Sequence, residues 1–275
     1  YEIVYKRVLA PNTSLFKVKA PKVARRRRPG NFVIVRIDEV GERIPLTIAG
    51  ADPEEGTITL VTQAIGRTTA QLAAMEPGEF LMDVVGPLGN PTHLDYYGTV
   101  VSISGGYGVA ASLPIIEGLK CLRNYIISIV GARTRELIIM EEEVKALSHE
   151  LIITTNDGSY GMPGMVTDAL KRLIDVGRRI DFVLAIGPAI MMKAVSDITQ
   201  PYGIKTMVSL NTIMVDGTGM CGSCRVTVGG RTRFVCVDGP EFDGHQVDFD
   251  EMMKRQRIYL KEERIAYESY LHGRG

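Results

Sequence analysis

No stretch of this sequence stays apolar for the ~18 residues that a membrane-crossing helix needs. None repeats, and none is of low complexity apart from four consecutive arginines, Arg25 to Arg28, which read as a solvated turn. The N-terminus opens as an amphipathic strand with no apolar signal segment, so the expectation is a cytoplasmic protein. Charge of one sign is also missing: 32 lysines and arginines offset 32 aspartates and glutamates, so neither nucleic acid nor a membrane is expected as a partner. Cysteine is scarce at four, and three of the four fall between positions 221 and 236. In a reducing compartment such clustering suggests metal ligation more than disulfides. What the chain does have is length and apolar content, 275 residues that are 45% hydrophobic, enough for two domains or three small ones.

The first 97 residues read as short strands at 2–8, 14–19, 32–37, 44–49, 57–61 and 79–85, the pattern of an antiparallel barrel. Its only helical interruption is expected at 69–75, and residues 86–91, rich in Gly and Pro, are expected to form a rigid closing loop. Between 98 and 210 continuous apolar strands alternate with helical patterns, predicting a doubly wound parallel sheet. From 211 to 275 a short segment rich in Gly and Cys, with strands at 225–228 and 232–235, precedes one helix over 248–271. That segment is too small to own a large core, and a bound inorganic centre would explain how it stays folded.

Cys221 and Cys224 form a C-x2-C, and Cys236 follows after eleven residues. A [2Fe-2S] centre takes four outer ligands, two per iron, so three cysteines leave one place open. In the plant-type C-x4-C-x2-C spacing that place falls on Asp216, whose carboxylate is an anionic iron ligand. His245 and Cys121 are the other candidates, although Cys121 lies on an apolar helix face that favours core packing. A zinc site built from the same residues, or three structural cysteines, are the competing readings.

Gly105, Gly106 and Gly108 follow a strand and open a helix, the arrangement in which backbone N–H groups meet a dinucleotide's phosphates, although a glycine turn that only packs helix on sheet looks similar. The loops at Asp157-Gly158 and Gly187-Pro188 also follow strands and would gather at the same carboxyl edge. Arg133 and Arg135 could face a 2′-phosphate and Glu141 to Glu143 a ribose hydroxyl, leaving NAD and NADP undistinguished. In the barrel, Arg43, Pro45, Leu46 and Thr47 lie on a strand suited to a flavin ring, and Gly66, Arg67, Thr68 and Thr69 precede a helix suited to a diphosphate. An ordinary strand and a helix cap would read the same way.

Together these regions resemble the ferredoxin–NADP reductase superfamily of flavin- and NAD-binding electron-transfer proteins. Within it the similarity is to the small subunits of NADH-dependent reduced ferredoxin:NADP oxidoreductases, also called sulfide dehydrogenases, with the electron-transfer subunits of dihydroorotate dehydrogenase as cousins. The resemblance covers nearly the whole chain and is most specific over 208–230 and 234–245. It implies an FAD-binding barrel over 1–97, an NAD(H)-binding domain over 98–210 and a [2Fe-2S] segment over 211–275. It also implies an oxidoreductase in which hydride passes between nicotinamide and flavin and single electrons pass through the cluster, with no acid–base catalytic residue. The implied partner is a larger subunit carrying further flavin and iron–sulfur centres, the two forming a heterodimer that reaches ferredoxin through that subunit and bifurcates electrons. Two departures stand out. The superfamily's Arg-x-aromatic-Ser/Thr motif has its arginine position on Ile44 here, with Arg43 one place early. The dihydroorotate cousins use cysteine where Asp216 stands, which favours the ferredoxin:NADP group. The alternatives are a dihydroorotate dehydrogenase subunit, a free-standing NAD(P)H:ferredoxin reductase, and a non-catalytic NAD-responsive regulator.

Overall fold

The structure is a computed structural model that describes residues 1–273. Its first sheet contains β1 (Ile3–Ala10), β2 (Thr13–Lys19), β3 (Phe32–Arg36), β4 (Ile44–Asp52), β5 (Thr57–Gln63) and β6 (Asp83–Leu88), all antiparallel, in the order β1-β2-β5-β4-β3-β6. The sheet curls into a barrel that is not fully closed. Residues just before β6 reach β1 through a single bridge between Glu2 and Phe80. Alternating inward residues such as Phe16, Val18, Val33, Val35, Ile58 and Leu60 fill it, each fully buried aliphatic side chain contributing roughly 1.5–3 kcal/mol.

Three expectations for this part fail. Helix α1 (Pro21–Arg26) is a second helical interruption, started by Pro21 in its first turn, and the arginine run closes that helix instead of forming a turn. Arg25 and Arg26 sit exposed in its last turn, where a cation suits the helix dipole, and Arg27 is half-buried. The last strand runs to Leu88, so Gly86 and Pro87 belong to an edge-strand ladder with β3 and not to a loop. The expected helix near 69–75 is α2 (Arg67–Ala74).

The second sheet is built from β7 (Thr99–Gly105), β8 (Tyr125–Ala132), β9 (Glu150–Thr155), β10 (Met162–Pro163), β11 (Phe182–Ile186) and β12 (Lys205–Ser209), all parallel, in the order β10-β9-β8-β7-β11-β12. The strands interleave with α3 (Gly108–Cys121), α4 (Glu141–Leu147), α5 (Val166–Asp175) and α6 (Ala189–Thr199). Both faces are covered, which is why the strands read as continuous apolar runs. In β11, Phe182, Leu184 and Ile186 pack with Ile115, Ile116 and Leu119 of α3, whereas Val183 and Ala185 pack with Leu170 of α5 and Val195 of α6. The strand order reverses between β7 and β11, and crevices at such switch points are where open α/β sheets bind ligands. Cys121 does not pack in the core: α3 turns Ile115, Ile116 and Leu119 inward and leaves Cys121 exposed at its last position.

The remaining elements are the hairpin β13 (Arg225–Val228) and β14 (Arg231–Phe234), α7 (Val235–Asp238), β15 (Glu241–Asp243), α8 (Phe249–Gln256) and α9 (Leu260–His272). The expected single C-terminal helix is broken at Arg257 to Tyr259 into α8 and α9. β15 joins the parallel sheet, antiparallel beside β12. As a result one buried cluster joins Phe32 and Ile34 of the barrel, Val101 and Ile103 of β7, and Met214, Cys224 and Cys236 of the C-terminal segment. Among the described residues no helix is long and apolar enough to cross a membrane.

Candidate functional site

A cleft of about 1140 Å³ runs between the two sheets. One wall comes from β4 and β5: Pro45, Leu46 and Thr47 line it together with Val61, Thr62 and Gln63. The facing wall is the switch point, with Gly105, Gly106 and Gly108 at the end of β7 and Gly187 and Pro188 at the end of β11. Gly106 sits at φ +57 with open space where a Cβ would project, and a Cβ on Gly108 would lie 2.6 Å from the Ile186 carbonyl oxygen. The first position therefore needs glycine for its backbone and the second for close helix–strand contact. The N-cap of α3, Tyr107, supplies no side-chain cap; within the first turn the Val109 and Ala110 amides donate to the Gly106 and Tyr107 carbonyls, at 3.4 and 3.1 Å.

The predicted residues divide. Pro45, Leu46, Thr47, Thr69, Gly105, Gly106, Gly108, Gly187 and Pro188 line the cleft, whereas Arg43, Gly66, Arg67, Thr68, Asp157 and Gly158 do not. Thr68 is buried and donates to Glu42 Oε2 at 2.6 Å, a hydroxyl already committed. Asp157 turns back on its own loop, accepting from the Ser159 hydroxyl at 2.6 Å and the Ser159 amide at 3.0 Å, which hold its carboxyl below the usual range. Its neighbour Asn156 lines the cleft instead, as does Arg133. Glu141 accepts from the Tyr160 hydroxyl at 2.8 Å, and the Arg135 guanidinium stacks over that ring at 5.0 Å. Two buried hydroxyls of residues lining the cleft, Thr62 Oγ1 and Thr154 Oγ1, have no protein partner. Orphaned buried donors beside a cleft this large are what a polar, flavin-sized guest would satisfy.

Sequence reasoning missed a third side of the cleft: Asn211, Met214, Pro240 and Gln256 come from the C-terminal segment. Gln256 Nε2 donates to the Asn211 carbonyl oxygen at 2.6 Å, tying α8 to the start of the cysteine loop. No local signal marks these four, because they meet the cleft only through the docking of that segment.

The same segment gathers Asp216, Cys221, Cys224 and Cys236 as two pairs. Cys221 Sγ lies 3.4 Å from Asp216 Oδ1, and Cys224 Sγ lies 3.3 Å from Cys236 Sγ. Two sulfurs bound at 2.3 Å to one tetrahedral metal would stand roughly 3.8 Å apart, so each pair needs only a small opening to grip one iron. Two donors per metal is the donor set of a two-iron cluster. Among the described residues no three His, Cys, Asp or Glu side chains converge as a holder for a single ion. His245 is elsewhere, its Nε2 2.9 Å from Thr199 Oγ1 on α6. The loop achieves the wrap through Gly217 at φ +74 and Gly219 at φ +87; a Cβ on Gly217 would lie 2.7 Å from Ile34 of the barrel.

The two pairs differ electrostatically. Asp216 is held below the usual carboxylate range, first by the Thr218 amide; burial opposes this, and the Cys221 thiol and Thr218 hydroxyl add to it. For Cys221 burial works upward, but the hydroxyl and amide of Ser223 outweigh it and leave the thiol below its ordinary value. Burial, followed by the hydrogen bond with Cys224, pushes the Cys236 thiol up to about 12. Cys224 and Cys236 are each 2% exposed, while Met220 beside the other pair is 89% exposed. One pair thus faces the core and the other faces solvent.

Residues 211–248 match the iron–sulfur cluster binding domain of dihydroorotate dehydrogenase B. Over 274 residues, 100% of this chain and 96% of its relative, the sequence is 47% identical to the dihydroorotate dehydrogenase B (NAD(+)) electron transfer subunit homolog of Thermotoga maritima. The structure superposes on a chain of the NADH-dependent reduced ferredoxin-NADP oxidoreductase, solved for insights into flavin-based electron bifurcation, with TM-score 0.94, 46% identity and coverage of 98% and 97%. The cytochrome b5 reductase domain of Ulva prolifera nitrate reductase shares the fold alone, at TM-score 0.56 and 18% identity over 74% of this chain and 91% of that one.

Proposed function

Because this chain belongs to the family of dihydroorotate dehydrogenase B electron transfer subunits and their homologues, we propose that it exchanges a hydride between NAD(H) and FAD and relays single electrons through a [2Fe-2S] cluster to a larger subunit. The observation that carries the proposal is the shared wall. Met214 lines the flavin-sized cleft and stands two residues from Asp216; Pro240 lines it and stands four residues from Cys236.

When bound, FAD supplies the conversion between electron pairs and single electrons, and the cluster supplies a one-electron relay. The chain's own residues position these groups. Pro45, Leu46 and Thr47 provide the flat wall of β4 against which a flavin ring would lie, and the uncapped start of α2 at Gly66 to Thr69 stands at the rim on the diphosphate side. Arg43 and Arg67 are exposed at that rim and are the cations nearest in sequence to it. Gly105, Gly106, Gly108, Gly187 and Pro188 admit the nicotinamide dinucleotide from the opposite wall. Asp157 and Gly158 serve it by shaping the loop that presents Asn156. Asp216 with Cys221 would hold one iron, and Cys224 with Cys236 the other. The functional division is then 1–97 for FAD, 98–210 for NAD(H) and 211–275 for the cluster.

The larger partner would carry its own flavin and iron–sulfur centres, form a heterodimer with this chain and deal with ferredoxin in its place. In favour of this is the similarity to the ferredoxin-NADP oxidoreductase and the carboxylate at position 216. The name of the Thermotoga relative supports a second reading, a subunit of dihydroorotate dehydrogenase B itself. Purification of the native complex with FAD, iron and acid-labile sulfide counted per subunit tests both. The first reading expects one FAD, two iron and two sulfide on this chain, bleaching of that flavin by NADH within a turnover, and a partner bearing clusters. A partner without clusters supports the second reading, and a colourless zinc protein sinks both.

A further inference from the structure

We propose that Thr218 is a positioning residue for the Asp216 carboxylate: its hydroxyl holds the ligand in a one-oxygen mode and draws charge from it, setting the cluster's reduction potential. The inference rests on the assignment of Asp216 as a ligand and goes one step beyond it. The two oxygens of Asp216 are in different surroundings. Oδ2 accepts three hydrogen bonds, from Thr218 Oγ1 at 3.1 Å, the Met220 amide at 3.2 Å and the Cys221 amide at 3.2 Å. Oδ1 accepts the Thr218 amide at 3.1 Å and is the oxygen that faces Cys221 Sγ, at 3.4 Å.

A metal shared with Cys221 would therefore meet Oδ1, because Oδ2 is occupied by donors. An oxygen that already accepts three hydrogen bonds has little capacity left for a second metal bond, so the carboxylate would bind through one oxygen. The amide donors belong to the backbone and persist whatever side chains stand there. Thr218 Oγ1 is the donor that a substitution can remove. Hydrogen bonds to an anionic ligand lower its donor strength and compensate negative charge on the group it binds, and the potentials of iron–sulfur centres respond to both. The reduced cluster carries one more negative charge than the oxidised one, so this donor favours reduction. Losing it shifts the midpoint in the negative direction.

The test uses the native complex with Thr218→Val, which keeps shape without the hydroxyl, and Thr218→Ser, which keeps the hydroxyl. The backbone turn from the Thr218 amide to Asp216 survives in both. EPR-monitored redox titration is expected to show a full complement of iron and sulfide, a midpoint moved negative in the Val variant beyond replicate spread, altered g-values, and return of both to wild-type values in the Ser variant. Loss of the cluster in Val with retention in Ser also supports the hydroxyl's role. Equal midpoints in wild type and Val, or equal defects in Val and Ser, overturn it. Asp216→Cys separates this inference from its premise. If that variant leaves the spectrum unchanged, Asp216 is not a ligand and the premise fails. If it moves the spectrum while Val does nothing, only the role of Thr218 fails.

Discussion

Replacing Glu241 by Gln should make the protein's stability less sensitive to pH. Glu241 opens β15 where three parts of the molecule meet: Thr92 Oγ1 donates to its Oε1 at 2.6 Å, and a Cβ on Gly30 would lie 3.2 Å from that oxygen. Burial pushes its carboxyl up to about 7 from 4.5, with the Thr92 hydrogen bond pulling weakly the other way. Between those two values the folded chain keeps a proton that the unfolded chain has released. Stability is therefore fully present below pH ~4.5, is lost as pH rises through 7, and then levels off. A carboxyl carried from 4.5 to about 7 corresponds to on the order of 3 kcal/mol, an upper figure because Glu241 keeps some contact with solvent. Gln keeps an acceptor for Thr92 and has nothing to ionise. Paired thermal melts of wild type and Glu241→Gln from pH 4.5 to 8.5 cancel the titration of every other group. The difference in Tm should move in favour of Gln by roughly 6 to 12 °C across that range, at about 2–4 °C per kcal/mol for a chain of this size. A difference that stays flat with pH would show that Glu241 ionises freely in the folded state and refute the reasoning.

Other perturbations test the site. Gly108→Ala places a methyl 2.6 Å from the Ile186 carbonyl, so NADH affinity should fall at least tenfold with FAD content retained, read by titration of the bound flavin. Asp216→Cys should keep a cluster but alter its visible spectrum and potential; an unchanged spectrum removes Asp216 from the ligand set. Cluster assembly should release protons and strengthen with pH between 7 and 9, because the Cys236 thiol, pushed up to about 12, must lose its proton to bind iron. That one thiol contributes about tenfold in apparent affinity per pH unit, and reconstitution indifferent to pH would contradict it.

Much of the architecture was legible because each part carries its own periodicity. Short alternating strands with turns between them announced the curled antiparallel sheet, and continuous apolar strands alternating with helices announced the parallel one. Helix α1 leaves no mark in the sequence because six residues with three basic side chains carry almost no apolar period. The end of β6 carries a loop-like signature because its Gly and Pro are turn residues by frequency, although an edge strand tolerates both. Cys121 has apolar neighbours in sequence, yet it falls on the outer face of α3 and is exposed.

The cysteine spacing, the glycine turn after β7 and the flavin-like strand are local patterns, fixed by how far a few residues of backbone can reach, and the chain alone determined them. The pairing of Asp216 with Cys221 and of Cys224 with Cys236, the retreat of Asp157 from the cleft, and the contribution of Met214, Asn211, Pro240 and Gln256 to its third wall were decided only by tertiary structure. The third wall depends on β15 joining the parallel sheet and on the cysteine loop docking against Ile34 and Leu88 of the barrel. The contacts of that loop with the barrel join residues more than a hundred positions apart, held together by burial of apolar surface, which has no direction along the sequence and leaves no spacing to read.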